Sequence, residues 1–108
     1  MKIAASKDGS VVTAYLDGEI DHHYAEKVRG RLDSAIGSKN IRTLILDMHG
    51  VAFMDSSGLG MVLGRYKKLS AKGAKLEIIN ASKRVERILR MSGVYALLER
   101  ADGGKNNG

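Results

Sequence analysis

The 108-residue sequence contains no cysteine and no tryptophan, a single phenylalanine, and no long uninterrupted apolar run. Without cysteine there is no disulfide framework and no thiolate metal site, which suits a reducing compartment. No stretch approaches the ~20 apolar residues needed to cross a bilayer, and the first residues lack the apolar core of a secretory signal. The expected setting is therefore the cytoplasm, with no membrane partner. No Gly-x-x-x-x-Gly-Lys phosphate loop occurs, so no cofactor is expected, and nucleotide binding by the chain itself stays open.

What the chain does have is enough for one small domain and an excess of positive charge, formally +6. That charge could signal nucleic acid or an acidic partner. Acidic residues are interleaved with the basic ones, however, as in Glu26-Lys27 and Lys75 with Glu77. The densest group, Lys83, Arg84, Arg87 and Arg90, falls on one expected helix with Glu86 and few aromatics nearby. A solvated helix face explains it better than attraction to acidic surfaces, and both explain it better than specific nucleic-acid binding.

Hydropathy gives the element order. Residues 2–7 and 11–16 read as two strands around Asp8-Gly9, a hairpin dipeptide, and an antiparallel pair is expected. A helix should run from about Tyr24 to Ile36, with Ala25, Val28, Leu32, Ala35 and Ile36 on one face and Gly37 as its stop. Thr43 to Met48 is a short apolar strand. Lys75 to Ile79 is another, with Leu76 and Ile78 facing one way and Lys75 and Glu77 the other. Ser82 should cap a third helix ending at Gly93, with Val85, Ile88 and Leu89 inward. Propensity does not decide residues 95–100, and the polar tail 101–108 is expected to be disordered. This order is α/β, with later strands made parallel by crossovers and helices mainly on one side of the sheet.

Between the 43–48 strand and the next helix lies Phe53-Met54-Asp55-Ser56-Ser57-Gly58-Leu59-Gly60. Asp55 occupies the expected N-cap position. Leu59, Val62, Leu63, Tyr66 and Leu69 recur at helical spacing, and Gly73 should end the helix. On a helical wheel Ser57 opposes this stripe while Ser56 lies nearer its edge, which makes Ser57 the expected exposed serine. Gly60, Met61, Gly64 and Lys68 share that open side. Two interior glycines cost roughly 1 kcal/mol each relative to alanine, so something other than helix stability favours small residues there. A phosphate on Ser57 would suit the positive end of the helix dipole. The plainer alternative is that Asp55 and Ser56 only cap the helix and Ser57 is an ordinary first-turn serine.

This block, with Leu63-Gly64-Arg65-Tyr66-Lys67 after it, Gly18-Glu19-Ile20-Asp21-His22-His23 before it, and Met91-Ser92-Gly93-Val94 further on, resembles the STAS-domain anti-sigma factor antagonists. The resemblance runs from the first strand to about Leu98. It implies the STAS fold, a mixed sheet of four or five strands over residues 1–100. It also implies that Ser57 is phosphorylated by an anti-sigma factor that is itself an ATP-dependent serine kinase, with a serine phosphatase to reverse the step. The partner-facing surface it implies comprises Asp21, Asp55, Ser56, Ser57, Gly58, Gly60, Met61 and Gly64. Members of the family usually carry a further C-terminal helix, for which this chain has few apolar residues left.

Asp21-His22-His23 is open to three readings. Adjacent histidines without a third ligand make a weak metal site. They could serve as acid or base near Ser57. They could equally shape the loop and helix start beside the Asp55 loop, because strand ends converge in such folds. A serine hydrolase built on Ser57 and His22 or His23 is the enzymatic alternative. Against it stand the missing Gly-x-Ser-x-Gly elbow and the small size of the chain. General-stress antagonists and other STAS regulators remain within the same fold.

Overall fold

The computed structural model describes residues 1–98, so the boundary expected at residue 100 and the disordered tail expected over 101–108 lie outside the described residues. Strands β1 (Lys2–Ala5), β2 (Val11–Ile20), β3 (Thr43–Met54) and β4 (Lys75–Ile79) alternate with helices α1 (His22–Ala35), α2 (Ser56–Ala71) and α3 (Lys83–Ser92) after the opening hairpin. The sheet order is β1-β2-β3-β4. β1 pairs antiparallel with β2, whereas β2–β3 and β3–β4 are parallel.

The hairpin is fixed by Asp8, whose carboxylate accepts hydrogen bonds from the Ser6 hydroxyl and from the Ser10 amide and hydroxyl. Those donors favour the charged form and hold the Asp8 carboxyl down at about 2. From the hairpin the sheet advances in one direction, so like-handed crossovers put α1 and α2 on the same face, packed on each other. Val12, Ala14, Leu16, Leu44, Leu46 and Met48 fill that face and meet Val28, Leu32, Val62 and Leu69 from the helices. The opposite face keeps Tyr15 44% and Ile79 38% exposed, the half-wet sheet that the alternation in β4 predicts.

Two strands are longer than expected. β2 continues through Asp17-Gly18-Glu19 and β3 through His49-Gly50, where the apolar pattern stops. The parallel ladder carries on past two register irregularities, between Tyr15 and Asp17 and between Gly18 and Glu19. Hydrogen bonding to a neighbour, which local composition does not report, sets the length. Similarly α1 starts at His22 rather than Tyr24, because Asp21 caps it, accepting from the Tyr24 amide at 2.9 Å. Helix α3 is capped by Ser82, which accepts from the Val85 amide, and stops at Gly93 in the left-handed region at φ 87°. Backbone over 94–98 is again helical. Buried Val94, with Tyr95 and Leu98 packed against the core, decides there what propensity could not.

Helix α2 is rotated from its expected orientation. Its buried positions are Gly58, Met61, Val62, Arg65 and Leu69, a stripe spaced three and four residues apart. A glycine and an arginine belong to that stripe, and neither registers as apolar. Arg65, 4% exposed, reaches α1, where its Nε lies 3.0 Å from Asp33 Oδ1. The approach is too oblique for a hydrogen bond, and Arg65 Nη1 has no hydrogen-bond partner among the described residues. Desolvation lowers the Arg65 guanidinium from the ordinary arginine value, with Asp33 opposing the shift. Lys68 Nζ takes the other Asp33 oxygen at 3.0 Å.

Removing the carboxylate leaves Arg65 buried and unpaired. Asp33→Ala should destabilise the fold by about 2–3 kcal/mol, below the roughly 3–5 kcal/mol of a fully buried pair because Asp33 is partly exposed. Arg65→Met, which replaces the ion by an apolar chain and leaves Asp33 to Lys68, should stay within about 1 kcal/mol of the parent. Urea unfolding of the two variants checks the asymmetry, and equal losses would contradict it.

Candidate functional site

The parallel register aligns the ends of two strands. Ile20 of β2 lies opposite Met54 of β3, and each is followed by an aspartate that caps a helix. The Asp55 amide donates to the Ile20 carbonyl at 3.3 Å, stitching the two strand ends together. Asp55 Oδ1 accepts from the amides of Ser57 at 2.8 Å and Gly58 at 3.2 Å. The first turns of α1 and α2 therefore stand side by side, and Ser57 Oγ comes within 3.4 Å of His22 Nδ1.

Tyr24 holds the α1 side of this junction. Its hydroxyl donates to Asp17 Oδ1 at 3.0 Å and accepts weakly from the Asp17 amide at 3.4 Å. Partial burial raises the phenol above the ordinary tyrosine value. Below the junction an open groove of about 390 Å³ runs between α1 and α2, lined by His22, Ala25, Glu26, Arg29, Ser57, Gly60, Met61, Gly64 and Arg65.

The eight expected surface residues divide. Asp21, Ser56 and Gly60 are exposed, and Asp55, Ser57 and Gly64 are half-buried. Ser56, not Ser57, is thus the more exposed serine, because the rotation of α2 turns Ser57 towards α1. Gly58 is buried, and a Cβ built there would meet the Ile20 carbonyl oxygen and Met54 Cβ, both at 3.1 Å. Its role is close packing of α2 onto the strand ends. Met61, 4% exposed, is buried instead of lying on the open side expected of it. Gly60 and Gly64 have only open space where a Cβ would sit, and together they flatten one wall of the groove.

Of the alternatives for the two histidines, the geometry brings His22 to Ser57. No cluster of three metal-ligating side chains occurs among the described residues. Tyr24, Glu26, Arg29 and Arg65 were not among the expected site residues. Their signal is tertiary: Asp17, which meets Tyr24, lies on a strand β2 that runs four residues past its expected end at residue 16, and Arg65 lies on the buried stripe of α2, outside the apolar stripe expected there.

The STAS domain profile matches residues 2–102, and the chain belongs to the STAS-domain family. The anti-sigma F factor antagonist of Paenibacillus polymyxa is 35% identical over 106 residues, covering 98% of this chain and 91% of that protein. The anti-sigma-B factor antagonist of Listeria monocytogenes is 30% identical over 93 residues, covering 86% and 81%. Among solved structures, the phosphorylated form of Bacillus SpoIIAA is 32% identical with a TM-score of 0.71, covering 88% of this chain and 85% of that one. The unphosphorylated form of SpoIIAA superposes with a TM-score of 0.70 at 31% identity, over 82% and 80%.

The glycines of α2 should behave in opposite ways. Gly58→Ala forces a Cβ against backbone and should cost about 1–3 kcal/mol, whereas Gly60→Ala meets no obstacle and should add roughly 0.5–1 kcal/mol by raising helix propensity. Thermal midpoints moving in the same direction for both would contradict this division.

Proposed function

We propose that the chain is an anti-sigma factor antagonist in which Ser57 is the switch. Unphosphorylated, the surface formed by Asp21, Asp55, Ser56, Ser57 and the open wall at Gly60 and Gly64 docks on an anti-sigma factor and frees its sigma factor. The anti-sigma factor, acting as a serine kinase with ATP, phosphorylates Ser57, and a serine phosphatase restores the docking form. The observation that carries this reading is the placement of the Ser57 hydroxyl at the junction of two helix N-termini, at the head of an open groove. A phosphate there adds about −1.5 to −2 charges to the docking surface without opposing the helix dipole. The relationship to proteins named as antagonists of anti-sigma F and anti-sigma-B factors supports the class of partner. Of the two pathways we infer the F type, and hence sporulation, from the paired histidines and the Leu63-Gly64-Arg65-Tyr66-Lys67 segment. No described helix is long and apolar enough to span a membrane, consistent with a cytoplasmic partner.

The Ser57 to His22 approach is also the one feature that favours a serine hydrolase. Hydrolysis of a broad ester panel by the parent and not by Ser57→Ala would decide for it. The antagonist reading is tested by incubating the protein and Ser57→Ala with a candidate anti-sigma kinase and ATP, followed by intact mass and peptide mapping. One phosphate on Ser57, absent from the variant, is expected. Ser57→Asp should weaken anti-sigma binding at least tenfold, about 1.4 kcal/mol, with little change in thermal midpoint. Equal affinity would remove the charge gate.

A further inference from the structure

We propose that His22 is the proton partner of Ser57: it accepts the hydroxyl proton during phosphoryl transfer and afterwards holds the phosphate as an imidazolium. This rests on the reading of Ser57 as the phosphorylated residue. The supporting geometry is independent of that reading, because the Ile20 to Met54 register and the two aspartate caps bring His22 Nδ1 to 3.4 Å from Ser57 Oγ. An exposed histidine and a half-buried serine 35 positions apart in sequence need not meet at all. When Nε2 carries the ring proton, Nδ1 is free to accept from the Ser57 hydroxyl. A contact of this length in the free protein shortens readily when the donor nucleotide is bound in place.

In the transfer, the bond from Ser57 Oγ to the γ-phosphorus of ATP forms while the bond from that phosphorus to the β,γ-bridging oxygen breaks. ADP leaves, and the hydroxyl proton passes to His22 Nδ1. The resulting N–H then donates to a phosphate oxygen, pairing one positive charge with the new dianion.

Several charged or titratable groups surround His22. His23 meets it edge-on with ring centroids 6.0 Å apart. Arg65 in the same groove keeps Nη1 without a hydrogen-bond partner among the described residues, while the rest are engaged. On α1, Glu26 is paired with Arg29, and the Asp21 carboxylate accepts from the Tyr24 amide. On α2, Asp55 accepts from its own helix and Arg65 is paired with Asp33. His22 is the group on α1 within hydrogen-bonding reach of the Ser57 hydroxyl.

Two measurements test the assignment. In the first, the ring protons of His22 and His23 are titrated by NMR before and after stoichiometric phosphorylation. The His22 midpoint should rise by about one pH unit or more, as an opposite charge within ~4–6 Å requires, and His23 should move less. In the second, initial rates of phosphorylation are compared for the parent and His22→Gln between about pH 5.5 and 8. The parent should be at least about tenfold faster at the upper end. The ratio of rates, which cancels titrations of the kinase, should fall towards one at the acid end of that range, where a protonated His22 can no longer accept the hydroxyl proton. An unmoved His22 midpoint in protein carrying one phosphate on Ser57, or a ratio flat with pH, overturns the proposal and leaves Ser57 as the switch. If no phosphate reaches Ser57, the underlying reading fails and the proposal fails with it.

Discussion

The site depends on one pairing: Ile20 opposite Met54 at the ends of parallel strands β2 and β3. Each strand stops at an aspartate, and an aspartate with extended backbone is a strong helix N-cap because its side chain satisfies amides the helix leaves unpaired. The register therefore converts two separate capping events into one surface. The Asp55 amide donating to the Ile20 carbonyl ties the caps together, and Gly58 lets the second helix start directly against the strand ends. Shifting β3 by one residue would turn its buried side chains to the open face and carry Ser57 away from His22.

The order of elements, the hairpin, all three helix stops and the cap at Asp55 were legible in the sequence, because each rests on interactions between residues close together in the chain. The serine block was legible too, through its likeness to a family. Errors arose where burial is decided by a distant neighbour. An apolar stripe through Leu59, Leu63 and Tyr66 places Met61 on the solvent side. The structure draws it instead through Gly58 and Arg65, one needed for its lack of a side chain and the other buried against Asp33. The same rotation reversed the exposures expected of Ser56 and Ser57. Polar residues in mid-strand, Asp17 to Glu19 and His49 to Gly50, hid the continuation of two strands whose length is set by the ladder between them.

The architecture separates rigidity from recognition. Around the groove, the buried side of α2 is fixed by apolar packing and by the Arg65 to Asp33 pair, and α1 is fixed by Asp21 and by Tyr24 on Asp17. The open wall carries glycines where alanine would give a more stable helix, at sites with no close neighbour to require them. Intramolecular packing does not account for Gly60 and Gly64. Close approach by another chain, as proposed, would account for them, since removing Cβ atoms lowers that wall without disturbing the buried one.

A helix N-terminus attracts anions through its dipole and its unpaired amides, but at α2 those two contributions separate. The Ser57 and Gly58 amides are already taken by Asp55 Oδ1, and the Leu59 amide by the Asp55 carbonyl. A phosphate on Ser57 would feel the favourable dipole yet would have to displace an anionic cap to reach those donors, at a cost of about 1 kcal/mol or more for the lost cap. The cap would thus keep such a phosphate from folding back into the helix and leave it projecting over the groove. Its charge would then fall on a partner docked there, while the Asp55 cap beneath could stay made. That arrangement suits a reversible switch, because binding can change while the folded structure beneath it does not.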